Sequence, residues 1–150
     1  MSVIEQIAER LKARGETIAV AESSAGLAQQ GGASAYYRGG AIVYTPKARA
    51  ALMGVSKAEM GEMRSASEPY ARFMAARVRE RMASTWGLAE TGATGPSGNA
   101  YGDAAGHCCL AVSGPTPLSL VIETGHGDRA VNMETFRDTA LRLLLEALSA

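Results

Sequence analysis

The sequence predicts an α/β fold, a three-layer α/β/α sandwich on a mixed, mostly parallel sheet. Helical periodicities alternate with short β-prone runs early in the chain, as strands joined by helical crossovers require. Strand-like runs then cluster, and the last two flank the turn Ser113-Gly114-Pro115, which implies one antiparallel hairpin. The 150 residues carry no repeat, linker or low-complexity stretch, so residues 1–150 read as a single domain.

Each element has its own signal. Ile4, Ile7, Ala8 and Leu11 recur at helical spacing, which predicts an amphipathic helix over residues 3 to 13, stopped by Gly15. Thr17 to Ala21 is a buried strand that gives way to Glu22-Ser23-Ser24-Ala25-Gly26, a tight strand-to-helix turn. Ala41 to Tyr44 is a second strand, and Pro46 suits the first turn of a helix over 47 to 53. Ser67 as N-cap and Pro69 in the first turn open a long helix whose apolar stripe holds Phe73, Met74, Val78 and Met82. Trp86 to Glu90 is a third strand, followed by a loop from 91 to 99 too rich in Gly and Pro for regular structure. His107 to Val112 and Leu118 to Glu123 complete the strands. Asp128 begins a terminal helix with Leu141, Leu144, Leu145 and Leu148 on its core face.

Composition narrows the function. Fifteen basic residues balance fifteen acidic ones, so no basic surplus draws the chain to nucleic acid or an anionic membrane. No apolar run approaches the roughly 20 residues of a membrane span, and Met1 to Gln6 lacks the pattern of a signal peptide. A cytoplasmic location follows as the expectation. The adjacent Cys108 and Cys109 point to opposite faces of a strand and match no zinc spacing. With no cluster of carboxylates and histidines either, the reading calls for no metal and no cofactor.

Three loops hold the chemistry: residues 22 to 26, 91 to 99 and 125 to 129. The first two follow predicted strands, at the sheet edge where open α/β folds bind ligands. Backbone N–H groups in such turns cradle a phosphate or an oxyanion, and Arg129 can add a bidentate contact. Each feature also has a plain structural reading. Ser23 or Ser24 at a helix start is more often an N-cap than a nucleophile, and Arg129 in a helix's first turn is usually a solvated charge. The 91 to 99 segment reads equally as a surface loop, and His107 as a packed strand residue.

Six strings then occur in order: A-E-S-S-A-G from Ala21, R-G-G-A-I-V-Y-T from Arg38, L-M-G-V from Leu52, S-A-S-E from Ser65, T-G-A-T-G-P from Thr91 and G-D-R from Gly127. Together they resemble the CinA C-terminal domain family, associated with nicotinamide-nucleotide amidase, over residues 4 to 148. The companion N-terminal domain of full-length members is not in the sequence, which reads as a stand-alone version. The resemblance implies hydrolysis of the carboxamide of nicotinamide mononucleotide to nicotinate mononucleotide and ammonia. The machinery it implies is a serine nucleophile assisted by lysine and tyrosine, without a metal.

On this resemblance Ser23 is the nucleophile and Tyr44 the tyrosine. Glu22, Ser24, Gly26, Thr91, Gly92, Gly95 and Arg129 bind the nucleotide. The family lysine falls at Arg49, and arginine is never deprotonated in a protein, so it cannot be a general base. Lys47 lies two residues earlier, about 200° around a helix. The family threonine two positions after the serine is Ala25. His107 replaces another family threonine and is a candidate substitute base. The segment between Gly26 and Ala33 is shorter than the family's helix there. The alternative function is a nucleotide-binding or regulatory protein with altered or lost catalysis. A third is an amidase of the same fold with a different substrate and His107 as base. Homo-oligomerisation is the expectation from its frequency among soluble proteins.

Overall fold

The computed structural model describes residues 1–21 and 29–150. Glu22, Ser23, Ser24 and Gly26 lie outside the described residues, as does the helix expected to follow them.

Helix α1 (Val3–Arg14) opens on a reciprocal capping box. Ser2 Oγ accepts from Glu5 N at 3.2 Å, and the Glu5 carboxylate accepts from Ser2 N at 2.7 Å. Gly15 closes it in the left-handed conformation, φ +65°. Strand β1 (Ile18–Ala21) is buried throughout and pairs in parallel with β2 (Tyr37–Ala41) and β3 (Trp86–Gly92). A 3-10 turn, Ala33–Ala35, leads into β2. Helix α2 (Pro46–Met53) follows with Thr45 as N-cap, and a short α3 (Lys57–Met60) carries its own capping box between Ser56 and Glu59. Helix α4 (Glu68–Arg81) starts at Ser67, whose hydroxyl accepts from Tyr70 N. Strands β4 (His107–Ser113) and β5 (Leu118–Glu123) come next, and α5 (Arg129–Ser149) ends the chain behind Asp128 as N-cap.

The sheet order is β2-β1-β3-β4-β5. An α/β fold with a mixed sheet flanked by helices is therefore present, but the pairings correct the expectation of a mostly parallel sheet. Two pairings are parallel, and two, β3–β4 and β4–β5, are antiparallel. Neither of the last two connections carries a crossover helix. The 93–106 loop and the turn after Ser113 return the chain beside the strand it left, which forces antiparallel pairing.

Two strands also differ from expectation by more than one residue. The second strand is Tyr37–Ala41, not 41 to 44, because its ladder ends with β1 at the Ala21–Ala41 pair. Ile42 and Tyr44 run on past it, 70% and 80% exposed. Strand β3 continues through Thr91 and Gly92, which pair with Cys109 and Cys108.

The two faces of the sheet hold different cores. Ile18, Val20, Trp86, Leu88, Leu110 and Val112 face α1 and α5 and meet Phe136, Leu141 and Leu144. Ala19, Ala21, Ala89 and Ala111 face α4 and meet Ala71, Met74, Ala75 and Val78. Side chains this small let α4 lie close to the sheet. A Cβ on Gly87 would sit 2.1 Å from the Ala75 carbonyl oxygen. Cys108 and Cys109 fall in opposite cores, as strand alternation requires. Among the described residues no helix is long and apolar enough to cross a membrane.

Candidate functional site

β1, β2 and β3 all point toward one edge of the sheet, and a cleft of about 510 Å³ opens there. Its lining includes Tyr44 beyond β2, Thr91 and Gly92 at the end of β3, Gly95 and Asn99 in the following loop, and Arg129 at the start of α5. The volume falls within the roughly 300–1,000 Å³ usual for small-molecule sites. Ala21, the last described residue of β1, pairs with Ala41 on one side and Ala89 on the other. The residues just after Ala41 and Ala89 line the cleft, which sets Ala21 at the same edge of the sheet.

Close approach accounts for two of the glycines. A Cβ at Gly92 would lie 2.2 Å from the His107 carbonyl oxygen, so only glycine lets β3 and β4 stay paired there. Gly95 has φ +104°, and its Cβ would meet the Gly127 carbonyl at 2.7 Å. Two loops thus pack backbone to backbone under the cleft, and Arg129 spans them. Its Nη1 donates to the Gly95 carbonyl at 2.9 Å and its Nη2 to the Tyr44 hydroxyl oxygen at 3.3 Å.

Asn132, fully buried in the first turn of α5, ties the same loops from below. Its Nδ2 donates to the Thr94 and His126 carbonyls at 2.9 and 3.0 Å, and its Oδ1 accepts from Thr124 Oγ1 at 2.6 Å. Sequence reasoning missed it. The available signal was a polar residue at i−4 from Phe136 and i−8 from Ala140, on the buried stripe of α5.

The opposite wall is the segment before α4. Ser65 lines the cleft, and its hydroxyl accepts from Arg49 Nη1 at 3.3 Å. The Arg49 guanidinium also lies over the Tyr70 ring, 5.6 Å from its centre. Ala66, next in sequence, has φ +56°. Its N–H donates to Thr91 Oγ1 at 2.9 Å, and His107 Nε2 lies 2.9 Å from its carbonyl oxygen. The other ring nitrogen, His107 Nδ1, lies 2.5 Å from Glu123 Oε1. Burial pulls the His107 pKa down, but the bonds to Glu123 and the Ala66 carbonyl outweigh it and the net shift is upward. Asp103 stands 3.8 Å from Nε2 and is gripped by both Arg64 Nη atoms, at 2.8 and 3.3 Å. Hydrogen bonds from Arg64 and Asn99 hold its carboxyl below the usual range. Burial pushes the neighbouring Cys109 thiol up to about 11. Among the described residues no group of His, Cys, Asp and Glu is placed to hold a metal ion.

A family model, the CinA C-terminal domain, matches residues 1–148. The chain belongs to the CinA family. It is 42% identical over 107 residues to a CinA-like protein of Gloeobacter violaceus, covering 67% of this chain and 25% of that protein. A CinA-like protein of Anaeromyxobacter dehalogenans is 35% identical over 148 residues, 95% of this chain and 36% of the relative. The chain spans about a quarter to two-fifths of the length of CinA-like relatives such as these. Among solved structures, a CinA superfamily protein from Enterobacter cloacae superposes with TM-score 0.87 at 26% identity, covering 97% of this chain and 90% of that one. A competence/damage inducible protein from Agrobacterium tumefaciens gives 0.80 at 27% identity, covering 100% and 98%.

In this CinA domain the structure gathers Tyr44, Thr91, Gly92, Gly95 and Arg129 around one cleft. It puts Arg49 on the Ser65 hydroxyl at the cleft wall. It does not bring His107 to the cleft lining, because both ring nitrogens are engaged behind Ala66. Glu22, Ser23, Ser24 and Gly26 belong to the segment outside the described residues.

Proposed function

We propose that this CinA-family chain is an amidohydrolase that hydrolyses the carboxamide of nicotinamide mononucleotide, with Ser23 as nucleophile. One observation carries the reading. The cleft opens at the sheet edge beside Ala21, the last described residue of β1, and its lining holds the linked Tyr44 hydroxyl and Arg129 guanidinium. Ser23 Oγ attacks the carboxamide carbon, the C–N bond breaks, and the nitrogen leaves as ammonia by taking the phenolic proton of Tyr44, whose oxygen receives the proton of the Ser23 hydroxyl in its place. Water then hydrolyses the acyl-enzyme ester to nicotinate mononucleotide. Arg129 fixes the Tyr44 oxygen by donating to it, which leaves the phenolic proton available to the departing nitrogen. The backbone of the loop after β3 and the Arg129 side chain are the groups that would hold the phosphate and the developing oxyanion.

Arg49 favours a second reading, nucleotide binding without turnover. A guanidinium bonded to Ser65 of the cleft wall can hold a phosphate but cannot take the serine proton. Ammonia release from nicotinamide mononucleotide, compared between the parent and Ser23→Ala, decides between the two. Turnover above Ser23→Ala supports the hydrolase. Calorimetric binding of the mononucleotide with no difference in ammonia supports the second reading, and absence of both overturns both. Under the hydrolase reading, Arg49→Lys restores a titratable amine and should raise the rate by about 10²-fold or more, the usual worth of a positioned base.

A further inference from the structure

Ala66 is an L-residue in left-handed backbone, 3% exposed, and such a conformation persists only where its surroundings over-determine it. Its peptide groups are held from both sides, the N–H by Thr91 Oγ1 and the carbonyl by His107 Nε2. Cys109 Sγ at 3.6 Å and Arg64 Nη1 at 3.4 Å add to the hold on the carbonyl. The residue thereby aimed at the cleft is Ser65, and the cation seated on Ser65 is Arg49. A carbonyl oxygen only accepts, so His107 Nε2 must carry a proton to bond it. The Glu123 carboxylate on the other nitrogen orients the ring. A nitrogen already donating to the backbone has no lone pair to offer a substrate.

We propose that His107 is a positioning residue: it pins the Ala66 carbonyl and so sets Ser65 on the cleft wall and Arg49 on the Ser65 hydroxyl, rather than accepting a proton in the reaction. The functional half of this rests on the cleft being the nucleotide site, while the structural half does not. The groups facing the ring are Glu123 from β5, Asp103 from the loop before β4 with its partner Arg64, and Cys109 on β4.

Two variants separate the roles. In His107→Gln the side-chain amide can replace the Nε2–H donor but cannot titrate, whereas His107→Leu has no donor. Native-state hydrogen exchange of the Ala66 amide should stay protected in the Gln variant and speed up by about tenfold or more in the Leu variant, the worth of one hydrogen bond. Calorimetry with nicotinamide mononucleotide should give a Kd within about twofold of the parent for Gln and about tenfold weaker for Leu. Adding Ser65→Ala to His107→Leu should weaken binding no further, because both act through one wall. Equal loss in Gln and Leu, or additive losses in the double variant, overturns the proposal. If the Leu variant does not fold, the Gln variant decides: an unprotected Ala66 amide there overturns the proposal. If the parent does not bind the mononucleotide, the substrate reading fails while the exchange measurement still tests the hold on Ala66.

Discussion

Replacing Asn132 by leucine keeps the branched shape of the side chain and removes every hydrogen bond it makes. Three are lost: two to the carbonyls of Thr94 and His126, and one from Thr124 Oγ1. A net hydrogen bond is worth about 1 kcal/mol, which sets the destabilisation near 3 kcal/mol. With a urea m-value of about 2 kcal/mol/M, the unfolding midpoint should fall by about 1.5 M at unchanged m. Asn132→Asp should cost at least as much, since one carboxylate oxygen would then face the two carbonyls that the amide nitrogen now satisfies. Equilibrium urea unfolding followed by circular dichroism measures both. A loss below about 1 kcal/mol for Asn132→Leu would mean that water replaces the amide freely, and the argument that Asn132 fastens the cleft loops would be wrong.

Ala83, exposed and just beyond α4 at φ +47°, occupies a position that favours glycine, so Ala83→Gly should stabilise the chain by about 0.5–1 kcal/mol in the same titration. Cys108 and Cys109 are 0% and 1% exposed and burial holds the Cys109 thiol near 11, so iodoacetamide at pH 8 should label the urea-unfolded chain and leave the native one unmodified. The folded His107 pKa lies above its unfolded value, so its contribution to stability is complete below about pH 6.5 and is lost as pH rises through the folded value. The difference in unfolding free energy between parent and His107→Gln should therefore shrink from pH 6 to pH 9, and a difference constant across that range would contradict the raised value.

The elements legible in the sequence are those with local signals. Gly15, Ser67, Pro69 and Asp128 mark helix ends through contacts within one turn, and each sits where the sequence reading placed it. The bounds of β2 were not legible, because they follow from its pairing with β1, from Ile18 with Tyr37 to Ala21 with Ala41, and not from a local signal. The balance of parallel and antiparallel pairing was equally hidden, since nothing local in residues 93–106 says the chain returns beside β3. In the candidate site, Thr91 after the third strand and Arg129 at the start of the last helix were legible as loop positions, and Tyr44 through the family resemblance. The surroundings of His107 were not: its two partners lie 16 and 41 residues away, on elements whose approach only the folded sheet defines.

The alanine-lined side of the sheet has a reach beyond packing. Where Ala19, Ala89 and Ala111 meet Ala71 and Ala75, there is no slack to absorb an added methylene. The segment that starts α4 is also the one that carries Ser65, so enlarging a small side chain in mid-sheet would tilt the helix and drag its leading end along. Changes in ligand selectivity within such a chain could thus originate far from the mouth of the pocket, in substitutions that touch nothing a ligand touches.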